Sequence, residues 1–170
     1  ESPRVDELID LLVERRIFVS PTLNLFEIRE GDVDASPEKV NAFKKMLQFT
    51  GMAWRKGVKI TCGSHTYNRR IHVMQGGEPG GKGAKFDWAY QREMELLAES
   101  GLSPMAVIEA ATMQNARYFN IEERLGSVEE GKVADLVIVE GNPVEDIRAV
   151  YNVRAVMLNG RWVSNWLGRL

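Results

Sequence analysis

Two histidines, His65 and His72, are the only imidazoles in this 170-residue chain. Imidazole can ligate a divalent metal or move a proton near neutral pH. His65 ends the run Val58-Lys59-Ile60-Thr61-Cys62-Gly63-Ser64-His65, which reads as a short buried strand broken by glycine. In α/β barrels and sheets, reactive groups sit where strands end on their C-terminal side. By position, His65 is either such a group, as metal ligand or base, or a hydrogen-bonded loop histidine. His72 follows seven residues later, a spacing that is neither a helical i, i+4 pair nor a compact zinc pattern. It reads as an exposed loop side chain or, with Tyr67, as a substrate contact on the loop 66–86. Ser64 and His65 are not a nucleophile–base pair, because neighbours on extended chain point opposite ways.

Cys62 alternates with Ile60 and reads as a small buried residue. One cysteine and two histidines do not support structural zinc. Gly76, Gly81 and Lys82 match the G-x-x-x-x-G-K spacing of a phosphate-binding loop, but Gly83 stands where the Mg²⁺-binding hydroxyl belongs. A lid is the better reading of this stretch, with nucleotide binding as a rival. Trp54, Trp88, Trp162 and Trp166 read as packing residues.

The net charge of −2 leaves no basic surplus to neutralise phosphates, so nucleic acid is not an expected partner. The pairs Arg15-Arg16 and Arg69-Arg70 read as solvated surface. Hydrophobic residues at 44% beside 27% charged residues describe a soluble globular chain with no membrane-spanning run. The lone cysteine excludes an internal disulfide and suits a reducing compartment, so a cytoplasmic location is expected. The chain begins at Glu1, and missing upstream sequence, a targeting segment included, stays open.

The elements that must position these groups follow from periodicity and punctuation. Ser2-Pro3 opens a helix with the stripe Val5, Leu8, Ile9 and Leu12, and with Arg15 and Arg16 at its negative end. Residues 17–19 form a strand. Ser36-Pro37 opens a second helix with Val40, Phe43, Leu47 and Trp54 on one face, closed by Gly57. Residues 58–62 form the next strand. Asp87 caps a third helix that Gly101 stops, and Ser103-Pro104 opens a fourth that ends near Phe119-Asn120. Alternation at this spacing implies parallel strands with crossover helices. Two strands are too few for a sheet that stands alone. After Leu125 the pattern turns to strands, with Asn159-Gly160 as a two-residue hairpin turn.

The stretch Glu95-Leu96-Leu97-Ala98-Glu99-Ser100-Gly101-Leu102-Ser103-Pro104-Met105, followed by Ala110-Ala111-Thr112, resembles the amidohydrolase superfamily. The resemblance is stronger in Leu125-Gly126-Ser127-Val128-Glu129-Glu130-Gly131-Lys132-Val133-Ala134-Asp135-Leu136-Val137-Ile138-Val139, followed by Gly141-Asn142-Pro143 and Asp146-Ile147. It covers nearly the whole chain from Val5 onward and is nearest the branch with imidazolonepropionase and prolidase-like enzymes. It implies an α/β chain forming the C-terminal part of a (β/α)8 TIM barrel, residues 1–124, plus strands of a small composite β-sandwich, residues 125–170. By order, residues 17–19 would be strand seven and residues 58–62 strand eight. It also implies one or two divalent metals, zinc by expectation, that activate a water. The family's ligands come from a His-x-His on the first strand, from middle strands, and from an aspartate ending the eighth. The earlier elements are not in this chain, so it would carry an incomplete site.

At the eighth strand the family has Gly-Thr-Asp or Gly-Ser-Asp, whereas this chain has Gly63-Ser64-His65. Histidine can ligate or act as base, but it brings no negative charge. The resulting expectation is a metal-dependent hydrolase of carbon–nitrogen bonds in small amides, cyclic amides or dipeptides, with His65 as catalytic or metal-binding group. The alternative is a catalytically inactive scaffold. The expected partners are a small-molecule substrate and either a second copy of the chain or a missing N-terminal segment.

Overall fold

Proline at the first turn costs a helix no hydrogen bond, and Pro3 stands there in α1 (Pro3–Glu14). In the computed structural model, which describes residues 3–64 and 88–165, α1 is followed by β1 (Phe18–Val19), α2 (Leu23–Phe26), α3 (Pro37–Arg55) and β2 (Lys59–Ile60). Then come α4 (Ala89–Glu99), α5 (Pro104–Ala111), α6 (Met113–Tyr118), β3 (Leu136–Val139), a 3-10 helix (Ile147–Tyr151), β4 (Val153–Leu158) and β5 (Arg161–Asn165).

Helix α3 begins and ends as its sequence dictates. The Ser36 hydroxyl accepts from the Lys39 amide, 3.3 Å away, and Pro37 follows it. At the far end Gly57, at φ 98°, lets the Val58 and Gly57 amides reach the carbonyls of Ala53 and Trp54. The helix buries Val40, Phe43 and Leu47 and packs Trp54 against the same core. Helix α1 differs from its expected stripe. Ile9 is fully buried and Val5 and Leu12 pack on the core, but Leu8 is 47% exposed. The helix stops before Arg15, so neither arginine lies in its last turn. Arg16 takes the left-handed turn itself, at φ 54°.

The expected fourth helix is two helices. At Thr112 the backbone turns to φ −126°, ψ −86°, and its hydroxyl folds back onto the Ile108 carbonyl at 2.8 Å. That local bond competes with the helical ladder. Trp162 is 49% exposed rather than packed, and Trp88 stacks at a tilt on Tyr151 with ring centroids 5.6 Å apart.

Strands β1 and β2 pair in parallel, Phe18 opposite Lys59 and Val19 opposite Ile60, with α3 in the crossover. Strands β3, β4 and β5 form an antiparallel sheet in that order. Asn159 and Gly160 turn its hairpin at φ 49° and 74°. The main core joins Ile9, Leu23, Phe43, Ile60, Leu96, Leu97 and Val107, and Ile147 of the 3-10 helix belongs to it. Burial of such side chains stabilises by about 1.5–3 kcal/mol each, and it fixes the two short strands that position the site.

Candidate functional site at the strand ends

A parallel pair ends both strands on one side, and here that end is tightly closed. The Thr61 amide donates to the Val19 carbonyl at 2.9 Å, and the Cys62 amide donates to Ala110 of α5 at 2.9 Å. Beyond them Gly63 lies so close to Ser20 that a Cβ at position 63 would overlap the Ser20 hydroxyl. A side chain there would displace the Ser20 hydroxyl, so glycine at 63 serves close approach rather than an unusual φ.

Behind this end sits a polar cluster that is only partly buried, with Tyr90 36% exposed. The Asn115 side-chain amide donates to the Cys62 carbonyl at 2.9 Å and to the Tyr90 hydroxyl at 3.2 Å. The Tyr90 hydroxyl donates to the Ala111 carbonyl at 2.8 Å. Cys62 is 2% exposed. Burial, then the Glu93 carboxylate, push its thiol up, so it stays a neutral packing group, as its alternation with Ile60 implies.

Glu93 of α4 is fully buried. Its Oε1 accepts the Leu23 amide at 2.9 Å and its Oε2 the Asn24 amide at 2.7 Å. These are the first amides of α2, which have no helical partner of their own. The preceding residue, Thr22, offers no side-chain cap and sits at φ 49°, ψ 48°. Burial pushes the Glu93 carboxyl up to about 7, against the pull of the two amides, and the Glu27 charge adds to the rise.

Glu27 ends the same segment with its side chain 1% exposed. Its oxygens take Arg92 Nη2 at 2.5 Å and Nε at 2.9 Å. Burial alone would raise this carboxyl, but the Arg92 and Arg29 guanidiniums together hold it below the usual range. Arg92 also reaches Glu95 at 2.6 Å, and Glu95 accepts the Tyr151 hydroxyl at 2.9 Å. The segment after β1, helix α4 and the 3-10 helix are thus joined by one charged chain.

His65, Tyr67 and His72 lie outside the described residues, as do the loop 66–86, Asp87 and the stretch from Gly76 to Lys82. Among the described residues, the sequence reading passed over Glu93, Glu27, Tyr90 and Asn115. One signal for Glu93 was available. It shares a helical stripe with Ala89, Leu96 and Leu97, all buried, so a carboxylate stands where an apolar residue belongs.

Among the described residues, no group of three or more His, Cys, Asp or Glu side chains could hold a metal ion. Cys62 is a neutral buried thiol, and both Glu93 oxygens are taken by amides. The described strand ends do not by themselves fit a metal, and a complete ligand set needs groups beyond them.

Residues 6–163 match the amidohydrolase family. The chain belongs to that family. Among solved structures, the chain is similar to a Xaa-Pro dipeptidase with methionine bound in its active site. The TM-score is 0.71 and the identity 30%, over 94% of this chain and 37% of that one. It is also similar to a prolidase complexed with N-methylphosphonate-L-proline, at TM-score 0.65 and 27% identity, over 92% of this chain and 37% of that one. A curated relative, adenine deaminase 4 of Rhizobium meliloti (strain 1021), is 40% identical over 60 residues, 35% of this chain and 9% of the relative. The chain thus spans little more than a third of these solved structures and about a tenth of that curated relative. Amidohydrolases have a TIM-barrel-type α/β fold and generally use divalent metals. Within this amidohydrolase chain, no helix of the described residues is long and apolar enough to cross a membrane.

Proposed function

We propose that this amidohydrolase chain is the C-terminal portion of a metal-dependent hydrolase that cleaves carbon–nitrogen bonds, and that its substrates are small amides of the dipeptide type. The observation that carries this reading is the closed end of the β1–β2 pair. In sequence His65 follows Gly63 by two residues and Ile60, the last residue of β2, by five, and such folds place their reactive groups just past the C-terminal ends of parallel strands. The likeness to a Xaa-Pro dipeptidase over 94% of the chain supports the dipeptide class.

In this reading residues 17–19 and 58–62 are the last two barrel strands, and residues 125–170 belong to a composite β-sandwich. His65 ligates a metal, zinc by preference, or acts as a base, and Tyr67 and His72 contact substrate. A second reading is a catalytically inactive scaffold. It is favoured by histidine at position 65, where the family pattern has a negatively charged aspartate.

One experiment separates the two. The whole protein that carries this chain is assayed for bound metal by elemental analysis and for hydrolysis of Xaa-Pro dipeptides, beside its His65→Ala form. The hydrolase reading expects one or two equivalents of divalent metal and turnover, with metal or rate reduced in the variant. Metal-free protein without turnover would leave the scaffold. Metal and turnover that survive His65→Ala unchanged would keep the hydrolase and remove His65 from its site.

A further inference from the structure

The segment after β1 is shaped by a contact across 70 positions of sequence. Thr22 is in a left-handed conformation that non-glycine residues adopt at a cost, and it gives α2 no side-chain cap. The two orphan amides that follow, of Leu23 and Asn24, end on the two oxygens of one buried carboxylate, Glu93. A carboxylate can serve both because each ionised oxygen is an acceptor. A protonated carboxyl cannot. One oxygen becomes a hydroxyl, a poor acceptor facing an N–H donor, and its own hydrogen then needs a partner.

The segment so held begins at Ser20, whose hydroxyl lies against Gly63 at the end of β2. Its conformation therefore borders the strand ends directly. The charged and titratable groups around Glu93 come from each neighbouring element. Glu27 stands at the end of α2, paired to Arg92 on the preceding position of α4, and Cys62 faces Glu93 from two residues past β2. Tyr90 lies one turn earlier on α4, with its hydroxyl bound to Ala111 and Asn115. Glu27 stays charged because Arg92 and Arg29 hold it low, so it repels a second charge at Glu93.

We propose that Glu93 is a proton-operated clamp and positioning residue: ionised, it grips the Leu23 and Asn24 amides and fixes the segment 20–26 beside the strand ends, and on taking up a proton it lets that segment go. Burial that brings the carboxyl up to about 7 puts this change in the neutral range. The clamp is a property of the fold. Only its consequence for turnover rests on the hydrolase reading.

The test needs no substrate. Amide hydrogen exchange of the whole protein is followed by mass spectrometry from pH 5.5 to 8.5, corrected for the intrinsic pH dependence of exchange. Protection of the segment 20–26 should fall about tenfold or more on going below neutrality, the worth of one such hydrogen bond. Protection in α3 should not change with it. Glu93→Gln should show the low protection at every pH. PH-independent protection in the unmodified protein would overturn the clamp, and so would a pH dependence that survives in Glu93→Gln. Should that variant fail to fold, the carboxyl carbon shift of Glu93 in the unmodified protein decides. A titration near neutrality that moves with the Leu23 and Asn24 amide signals supports the clamp. A midpoint in the ordinary carboxylate range, or amide signals that ignore it, overturns it. Neither result depends on whether the protein binds metal or hydrolyses a dipeptide.

Discussion

A methyl group at position 63 would occupy space that the Ser20 hydroxyl already fills. The exposed Ser20 hydroxyl can turn to another rotamer, so Gly63→Ala should destabilise by no more than about 1 kcal/mol, below the cost of overpacking a closed core, read as a slightly lower urea midpoint at unchanged slope. Ser20→Gly in the same molecule should recover most of that loss, because the clash is with that side chain. Equal losses in the single and double variants would place the strain elsewhere. Position 51 is harsher. There an added Cβ would overlap the backbone carbonyl of Ser100, which cannot rotate away. Some single residues were legible from sequence and some were not. Cys62 as a buried small residue followed from alternation with Ile60. Glu93 did not, because its meaning lies in two amides 70 positions away, and sequence spacing carries no record of them. The role of Arg16 was hidden for a related reason: a left-handed turn is usually signalled by glycine, and arginine gives no such signal.

Between elements, one buried charge decides more than the exposed ones. Arg92→Leu would leave Glu27, 1% exposed, without its bidentate partner. Because Arg29 stays on Glu27 at 3.3 Å, the change should cost less than the ~3–5 kcal/mol of a buried charge left wholly unpaired, with a lower melting temperature. Arg92→Lys should not restore it, since an ammonium cannot reproduce the planar fork. The Arg29–Glu99 pair has side chains 28% and 41% exposed, and Glu99→Gln should change stability by no more than about 1 kcal/mol. Elements bounded by short-range chemistry were readable in advance. Ser36-Pro37, Gly57, Gly101 and Asn159-Gly160 all stand where their caps and turns require. The split at Thr112 was not readable, because the apolar pattern runs through it and the break comes from a side-chain hydroxyl bonded four residues back. Helix α2 was missed for the opposite reason. Four residues carry no period, and its amides depend on α4.

The whole molecule should respond to pH with two opposed slopes. Glu93 binds a proton more tightly folded than unfolded, so its contribution is present in mild acid and is lost as pH rises from about 4.5 to about 7. Glu27 has the reverse sign. Its contribution is present above its unfolded value and is lost as pH falls below about 4.5. Chemical denaturation across pH should show greatest stability near pH 4.5, where both contributions are present, and Glu93→Gln should flatten the upper slope while leaving the acid loss. A stability curve that rises from pH 5 to 7 would contradict the Glu93 assignment. Among the described residues β1 pairs only with β2, so the isolated 170 residues should associate through the outer strand edges. Light scattering that returns a monomer would count against this.

The parallel register also sets a clock. Val19 and Ile60 can meet only after about forty intervening residues have closed into a loop, and chain closure of that kind is an entropic cost met before any contact across it forms. A parallel pair has no tight turn to nucleate it, so the helix in the crossover must form and dock first. Folding of this region should therefore be slower than its many short-range helical contacts suggest. Weakening the Ser36 cap of α3 should then lower the folding rate as well as speed unfolding, so that a stopped-flow chevron of Ser36→Ala would be displaced on both arms.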